Sequence, residues 1–357
     1  MAGTNRFDAL DLLRGVAAIS VLLLHVPRPQ EMPALLPHAY LAVDLFFALS
    51  GFVIAYAYWH RLREGEGVGR FLIERLIRLY PLYLLATLVG GLLILDEMLA
   101  PGMPARSLGE WGTTMATNLL FLPALPGNAG EASRLFPAVF PAWSLFWELV
   151  ANLAFALLAP RLGGRMLAAI LALGLGLLVA TGAAYGTLDG GVIWANGWAG
   201  GGRVIWSFFA GVALYRLHCR YRPRIALPGW LLTATLLGVF AVPLVGWGYD
   251  VALAAIGFPL LVFAAVRSDS RSRIGYWLGY ISYAVYVLHA PILTLVDKLA
   301  RSLAERPAEA LPPWIIVPVS LGLTLAAAAV AVRRYDDPVR AWLKRFLHAR
   351  PRHVLTA

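Results

Sequence analysis

The chain is short of charge and nearly devoid of cysteine. Only 14% of its 357 residues are Asp, Glu, Lys or Arg, and 60% are hydrophobic. Soluble domains carry about 25% charged residues, so a soluble globular protein of this size is excluded; mean hydropathy is +0.70. The single cysteine, Cys219, excludes a disulfide framework and a thiolate metal site. No polar stretch is long enough for a second soluble domain, and no internal repeat or low-complexity tail stands out. The first apolar run is too long for a signal peptide, and the "HVPRPQEMP" that follows offers no small-residue cleavage site.

What is present is a succession of apolar runs. They predict an all-α, polytopic membrane helix bundle of about ten spans, at 9–26, 39–58, 79–98, 142–160, 167–185, 202–217, 229–247, 250–266, 277–297 and 314–332. Residues 1–340 form one membrane domain and 341–357 a short basic tail. The sizeable loop, 99–140, contains "TTMATNLLFLPAL", too short to span and suited to dipping into the membrane or lying along its interface.

The formal net charge of +10 is distributed by topology rather than as a nucleic-acid footprint. The N-terminus and segments 61–78, 161–165, 216–224, 267–273 and 333–352 hold 23 of the 30 Lys and Arg residues. By the positive-inside rule both termini are cytoplasmic. The same excess suits contact with anionic membrane lipids, and no nucleic-acid partner is expected.

An ionisable side chain inside a span costs about 2.5–3.5 kcal/mol and calls for a function. In "LRGVAAISVLLLHV", Arg14 and His25 are eleven residues apart. That separation is three turns plus about 20°, so they share a face at a rise of about 16 Å, Arg14 toward the cytoplasm and His25 toward the outside. The alternative is that Arg14 snorkels to the interface and His25 simply ends the helix. Asp44, in the second span, falls at about the depth of His25, where a carboxylate would orient an imidazole base. "FPAWSLFWELV" places Glu148 about two turns in from the outer face, beneath Trp143 and Trp147 and after Ser144. Arg203 opens the sixth span and His289 lies in the outer half of the ninth, which also carries Tyr280, Tyr283 and Tyr286 as a stripe. His25, Asp44, Glu148, Arg203 and His289 are therefore expected around one outer polar cavity. On the inner side, Arg75 and Arg78 share a helix face; positive-inside topology explains them, and so does a clamp for phosphate oxygens.

The ordered motifs "LDLLRGVAAISVLLLH", "VDLFFALSGFVI", "RFLIERLIRLYPLYL", "WSLFWE", "GGRVIWSFFAGVAL", "LGYISYAVYVLHAP" and "YDDP" resemble those of acyltransferase family 3, over residues 6–340. The resemblance implies a membrane O-acyltransferase. Such an enzyme moves an acyl group, often acetyl, from cytoplasmic acyl-CoA to a hydroxyl of a cell-envelope glycan or glycolipid; some members modify small molecules such as antibiotics. It further implies the cytoplasmic (inner) membrane of a bacterium. Arg14 and His25 match the family's arginine–histidine pattern, Arg75 and Arg78 its paired arginines, and Trp143, Ser144, Leu145 and Glu148 its tryptophan–serine–leucine motif. Two departures are "YDDP", with Asp where Glu is common, and the lack of a C-terminal hydrolase-like domain. The second points to a stand-alone enzyme or to hand-over of the acyl group to a separate extracytoplasmic partner.

On this reading His25 is the base or acyl carrier, with Asp44 and Glu148 as its catalytic companions. Arg14, Arg75 and Arg78 hold the donor. Arg203, His289, Trp143 and Ser144 face the substrate or oxyanion. No metal and no permanently bound cofactor is expected. The competing class is a transporter or flippase of a polar or lipid-linked substrate, since carriers also hold polar cavities within membranes.

Overall fold

The structure is a computed structural model that describes residues 7–29, 31–100, 107–127, 133–221, 227–243, 245–268 and 272–349. Among these the fold is all-helical, apart from an isolated bridge between Arg134 and Ile193. Thirteen helices follow in order: α1 (Asp8–His25), α2 (Ala42–Arg63), α3 (Val68–Leu99), α4 (Leu108–Leu119), α5 (Ala142–Leu158), α6 (Gly164–Tyr185), α7 (Gly197–Arg220), α8 (Gly229–Ala241), α9 (Trp247–Ala252), α10 (Phe258–Arg267), α11 (Arg273–Ala304), α12 (Pro313–Ala331) and α13 (Asp337–Ala349). π-helical turns at Leu253–Gly257 and Val332–Asp336 join α9 to α10 and α12 to α13.

Each predicted apolar segment contains a helix, although the one expected over 229–247 is helical only as Gly229–Ala241 before α9 opens at Trp247. Among the described residues, six continuous helical stretches are long and apolar enough to cross a membrane: Ala39–Arg63, Val68–Leu99, Gly164–Tyr185, Trp247–Arg267, Arg273–Ala304 and Pro313–Leu347. The protein is a membrane protein on that architecture. Helix starts follow local chemistry. Ser107 and Ser272 accept from the amides of Glu110 and Gly275 at 3.0 Å, capping α4 and α11. Gly186, in the left-handed region at φ 70°, ends α6.

Several helices outrun the predicted spans. α3 begins at Val68 and carries a charged face before its apolar part, because hydropathy marks contact with lipid rather than helicity. The predicted tail is helical through α13, and residues 350–357 lie outside the described residues. The 99–140 loop is anchored by α4 against α3: Tyr80 donates to the Leu119 carbonyl at 2.8 Å and Trp111 to that of Gly91 at 3.1 Å.

Two parallel helix pairs form the centre. α1 runs along α11 and α2 along α7, all four with buried faces. Small residues permit the approach: a Cβ on Gly51 would lie 1.9 Å from the Phe208 carbonyl oxygen, and one on Gly211 2.1 Å from that of Ala48. This close crossing puts the N-terminal ends of α2 and α7 side by side.

Candidate active site

The polar side chains form three groups instead of one shared outer cavity. The first is a closed ion pair. Arg203 donates through Nη2 and Nε to Asp44 Oδ2 at 2.6 and 3.1 Å, and both residues are fully buried. Ser207 donates to Asp44 Oδ1 at 3.3 Å. Arg203 further donates to the carbonyls of Gly190 and Tyr40, and lies 5.3 Å over the Trp143 ring. Asp44 was expected beside His25 and Arg203 at an oxyanion; the close α2–α7 crossing turns them toward each other, and every guanidinium nitrogen already has an acceptor. Trp143 is buried beneath this pair, not part of an interfacial belt.

The second group is the histidine pair. His25, at the exposed end of α1, and fully buried His289 have ring centroids 5.2 Å apart, with Phe140 against both. His25 Nδ1 meets the Val21 carbonyl at 2.8 Å and His289 Nδ1 that of Tyr286 at 2.7 Å. A carbonyl only accepts, so each neutral ring carries its proton on Nδ1 and its lone pair on Nε2. His25 is thus oriented by its own helix backbone. His289 Nε2 is buried and has no hydrogen-bond partner among the described residues; in this tautomer it accepts and cannot donate to an oxyanion.

The third group lines a cavity of about 170 Å³ among α1, α2, α3, α5 and α11. Glu148 accepts from Ser50 at 2.6 Å and from Arg75 Nη2 at 3.0 Å. Glu148 therefore joins the arginine expected on the inner side, since the charged start of α3 reaches up to α5. Arg14 lies on the same wall, donating to Asp11, Ser282 and the Gly279 carbonyl at 2.7–2.9 Å. Arg78 completes the base, stacked 5.8 Å from the Tyr283 ring. Ser144 pairs with the Tyr286 hydroxyl at 2.7 Å. Tyr286 lines this cavity and its ring is 6.0 Å from that of His289, so cavity and histidines share a wall.

Arg75 and Arg78 also line a second cavity, of about 350 Å³, together with Arg61, Arg70, Arg340 and Lys344. A cationic basin thus adjoins a narrower cavity bounded by Tyr286, behind whose ring His289 lies. The arrangement suits a ligand with an anionic head and a slender uncharged arm.

A further buried cluster escaped the sequence reading. Asp250 Oδ2 accepts from Tyr40, Thr187 and the Leu188 amide at 2.7–3.2 Å, and Oδ1 lies 3.2 Å from His38 Nδ1. An acid at the head of the apolar run "GYDVALAAIG" was its signal. The cluster ties the segment before α2 to α9 and the α6–α7 connection, adjoining Arg203 through the Tyr40 carbonyl.

A helical membrane protein with a basin lined by cations and a pair of histidines beyond the adjoining cavity defines the class: a membrane-embedded polar site of the kind a transferase needs. A family model described as an acyltransferase domain, acyltransferase family 3, matches residues 7–333. The chain belongs to that family of membrane acyltransferases. It is 45% identical over 161 residues to "Protein 2 in picA locus" of Rhizobium radiobacter, covering 43% of this chain and 82% of that protein. It is 30% identical over 161 residues to "Acyltransferase MdmB" of Streptomyces mycarofaciens, covering 43% of this chain and 39% of that protein. No solved structure matches.

Proposed function

We propose that the protein is an acyl-CoA-dependent O-acyltransferase of a bacterial inner membrane, moving an acyl group, acetyl in the first instance, to a hydroxyl of a cell-envelope glycan or glycolipid. What carries this reading is the adjoining pair of cavities: a basin ringed by cations meets, at Arg75 and Arg78, a cavity bounded by Tyr286, the neighbour of His289 and His25. The basic end faces the cytoplasm, where CoA thioesters are made, and the histidine end faces the acceptor.

The donor's phosphates rest on Arg75 and Arg78, whose planar forks suit phosphate oxygens. Arg75 Nε is a buried donor with no acceptor among the described residues. The pantetheine arm lies past Arg14, over a rise of about 16 Å to His25. His25 Nε2 takes the acceptor's hydroxyl proton as the oxygen forms its bond to the thioester carbonyl carbon. The carbon–sulfur bond breaks, and the CoA thiolate recovers the proton from His25. Glu148 acts as a positioning residue, holding Arg75 and Ser50. Asp44 and Arg203 brace the α2–α7 crossing beneath the acceptor end. The acyl group passes directly to the acceptor or to a separate extracytoplasmic partner.

Mass spectrometry of envelope glycans from cells with and without the protein tests the reading. The expected result is a mass gain of one acetyl or other acyl group with the wild type. The His25→Ala enzyme, inserted normally, should lose about 10²-fold or more of that activity, the range a general base supplies. Wild-type transfer by His25→Ala would remove His25 from the chemistry.

A further inference from the structure

The C-terminal helix α13 extends past the last apolar stretch and is not needed to fill the bundle core, yet it walls the larger cavity. Arg340, Lys344 and Leu347 line that basin opposite Arg61 and Arg70. At 100° per residue these three lie within about 60° of one another, while Trp342 and Phe346 fall on the opposite face. Those aromatics are 53% and 59% exposed and stack edge-to-face, ring centroids 4.7 Å apart. α13 is thus two-faced, Arg340 and Lys344 turned to the basin and its aromatics turned away, as in helices that lie in a membrane interface.

The basin's cations differ in how far the protein already satisfies them. Arg61 is held by Glu66 and Glu74 at 2.5 and 3.3 Å, and Arg70 meets Glu74 at 3.4 Å. Arg340 engages Asp336 at 2.9 Å and Asp337 at 3.8 Å through Nη1, but its buried Nε has no hydrogen-bond partner among the described residues. Arg75 Nε, at the junction of the two cavities, is in the same condition. Two buried guanidinium donors beside one cationic cavity call for an anion with several oxygens. Arg78 lies within electrostatic reach of Arg14, Arg75 and Arg340, with Asp336 as a compensating carboxylate.

We infer that Arg340 and Lys344 on α13 are specificity residues that bind the ribose 3′-phosphate of a coenzyme A donor, an assignment that rests on the acyl-CoA reading above. The order of groups along the ligand matches the order of cations. With the thioester arm in the inner cavity, the diphosphate falls at Arg75 and Arg78, which line both cavities. The 3′-phosphate falls farther out, among the cations that line the basin and not the inner cavity; of these Arg61 and Arg70 are held by glutamates, which leaves Arg340 and Lys344. The site therefore selects a CoA thioester over a phosphopantetheine thioester on a carrier protein, which lacks that phosphate.

Calorimetric titration of the detergent-purified full chain with CoA and with 3′-dephospho-CoA tests this, since neither needs an acceptor. Wild type should bind CoA at least about tenfold more tightly, the scale of one charge-assisted hydrogen bond. Lys344→Met, at an exposed position where folding is not at stake, and Arg340→Met should each lower CoA affinity and leave dephospho-CoA affinity unchanged. Lys344→Arg should restore the preference. Equal wild-type affinities, or a preference unchanged in both Met variants, overturns the assignment. Binding of neither ligand overturns the acyl-CoA reading itself, and the assignment with it. A preference present in neutral detergent but abolished in phosphatidylglycerol nanodiscs gives the basin to lipid phosphate and also overturns it.

Discussion

Asp44 and Arg203 are each fully buried, and each is the other's principal partner. A buried pair of this kind is weak evidence for net stabilisation, but removing one member strands a charge and costs about 3–5 kcal/mol. Arg203→Met should therefore lower the thermal unfolding midpoint in detergent markedly, because Asp44 and the carbonyls of Tyr40 and Gly190 all lose their donor. Asp44→Leu combined with Arg203→Met should recover part of that loss, since no carboxylate is then left unpaired. An unchanged midpoint for Arg203→Met would refute a bracing role for the pair. The histidines differ in kind. Their Nδ1 atoms are anchored on backbone carbonyls one turn or less upstream, so their orientation depends on α1 and α11 and not on any carboxylate.

At the scale of elements, the α2–α7 crossing decides which of these residues meet. A Cβ at Gly51 would strike the Phe208 carbonyl oxygen at 1.9 Å, and backbone cannot swing aside as a flexible side chain can. Gly51→Val should force the two helices apart, separate Asp44 from Arg203 and abolish recovery of folded protein in fluorescence-detected size exclusion. Gly238→Ala in α8, with nothing within 4 Å of the added carbon, should be recovered at wild-type level and gain up to about 1 kcal/mol of stability from helix propensity. Recovery of Gly51→Val at the same level would show the crossing to be compliant. The same crossing marks where sequence reasoning stops. Apolar runs mark which segments form helices and in what order, so the helices carrying His25, Asp44, Glu148 and His289 were legible. The rotation of each helix about its axis was not, because it follows from packing between segments far apart in sequence. Hence Glu148 bonds Arg75 across α5 and α3, and Asp44 bonds Arg203 in place of His25. α13 was invisible for another reason: a helix with an exposed polar face gives no hydropathy signal.

For the whole molecule, the arrangement acquires meaning only with a direction across the membrane. The basic ends of α2, α3 and α13 cluster around the basin, and the proposed function requires that end to face the cytoplasm, the side the positive-inside rule favours. The chain carries its own reporter. Cys219, the single cysteine in the sequence, is a free and exposed thiol two residues from the end marked by Tyr221, the cap of α7. α7 runs parallel to α2, so Cys219 belongs to the same end as Arg61 and the basin. A membrane-impermeant maleimide should label Cys219 in inside-out vesicles and leave it untouched in intact spheroplasts. Leu35→Cys in a Cys219→Ser background should show the reverse pattern, because Leu35 is 76% exposed in the connection between α1 and α2, beyond the His25 end. Labelling of Cys219 from outside would turn the cationic basin away from the cytoplasmic CoA pool. A cytoplasmic thioester could then not enter at Arg75 and Arg78, and the direction of acyl transfer argued from the two cavities would fall with it.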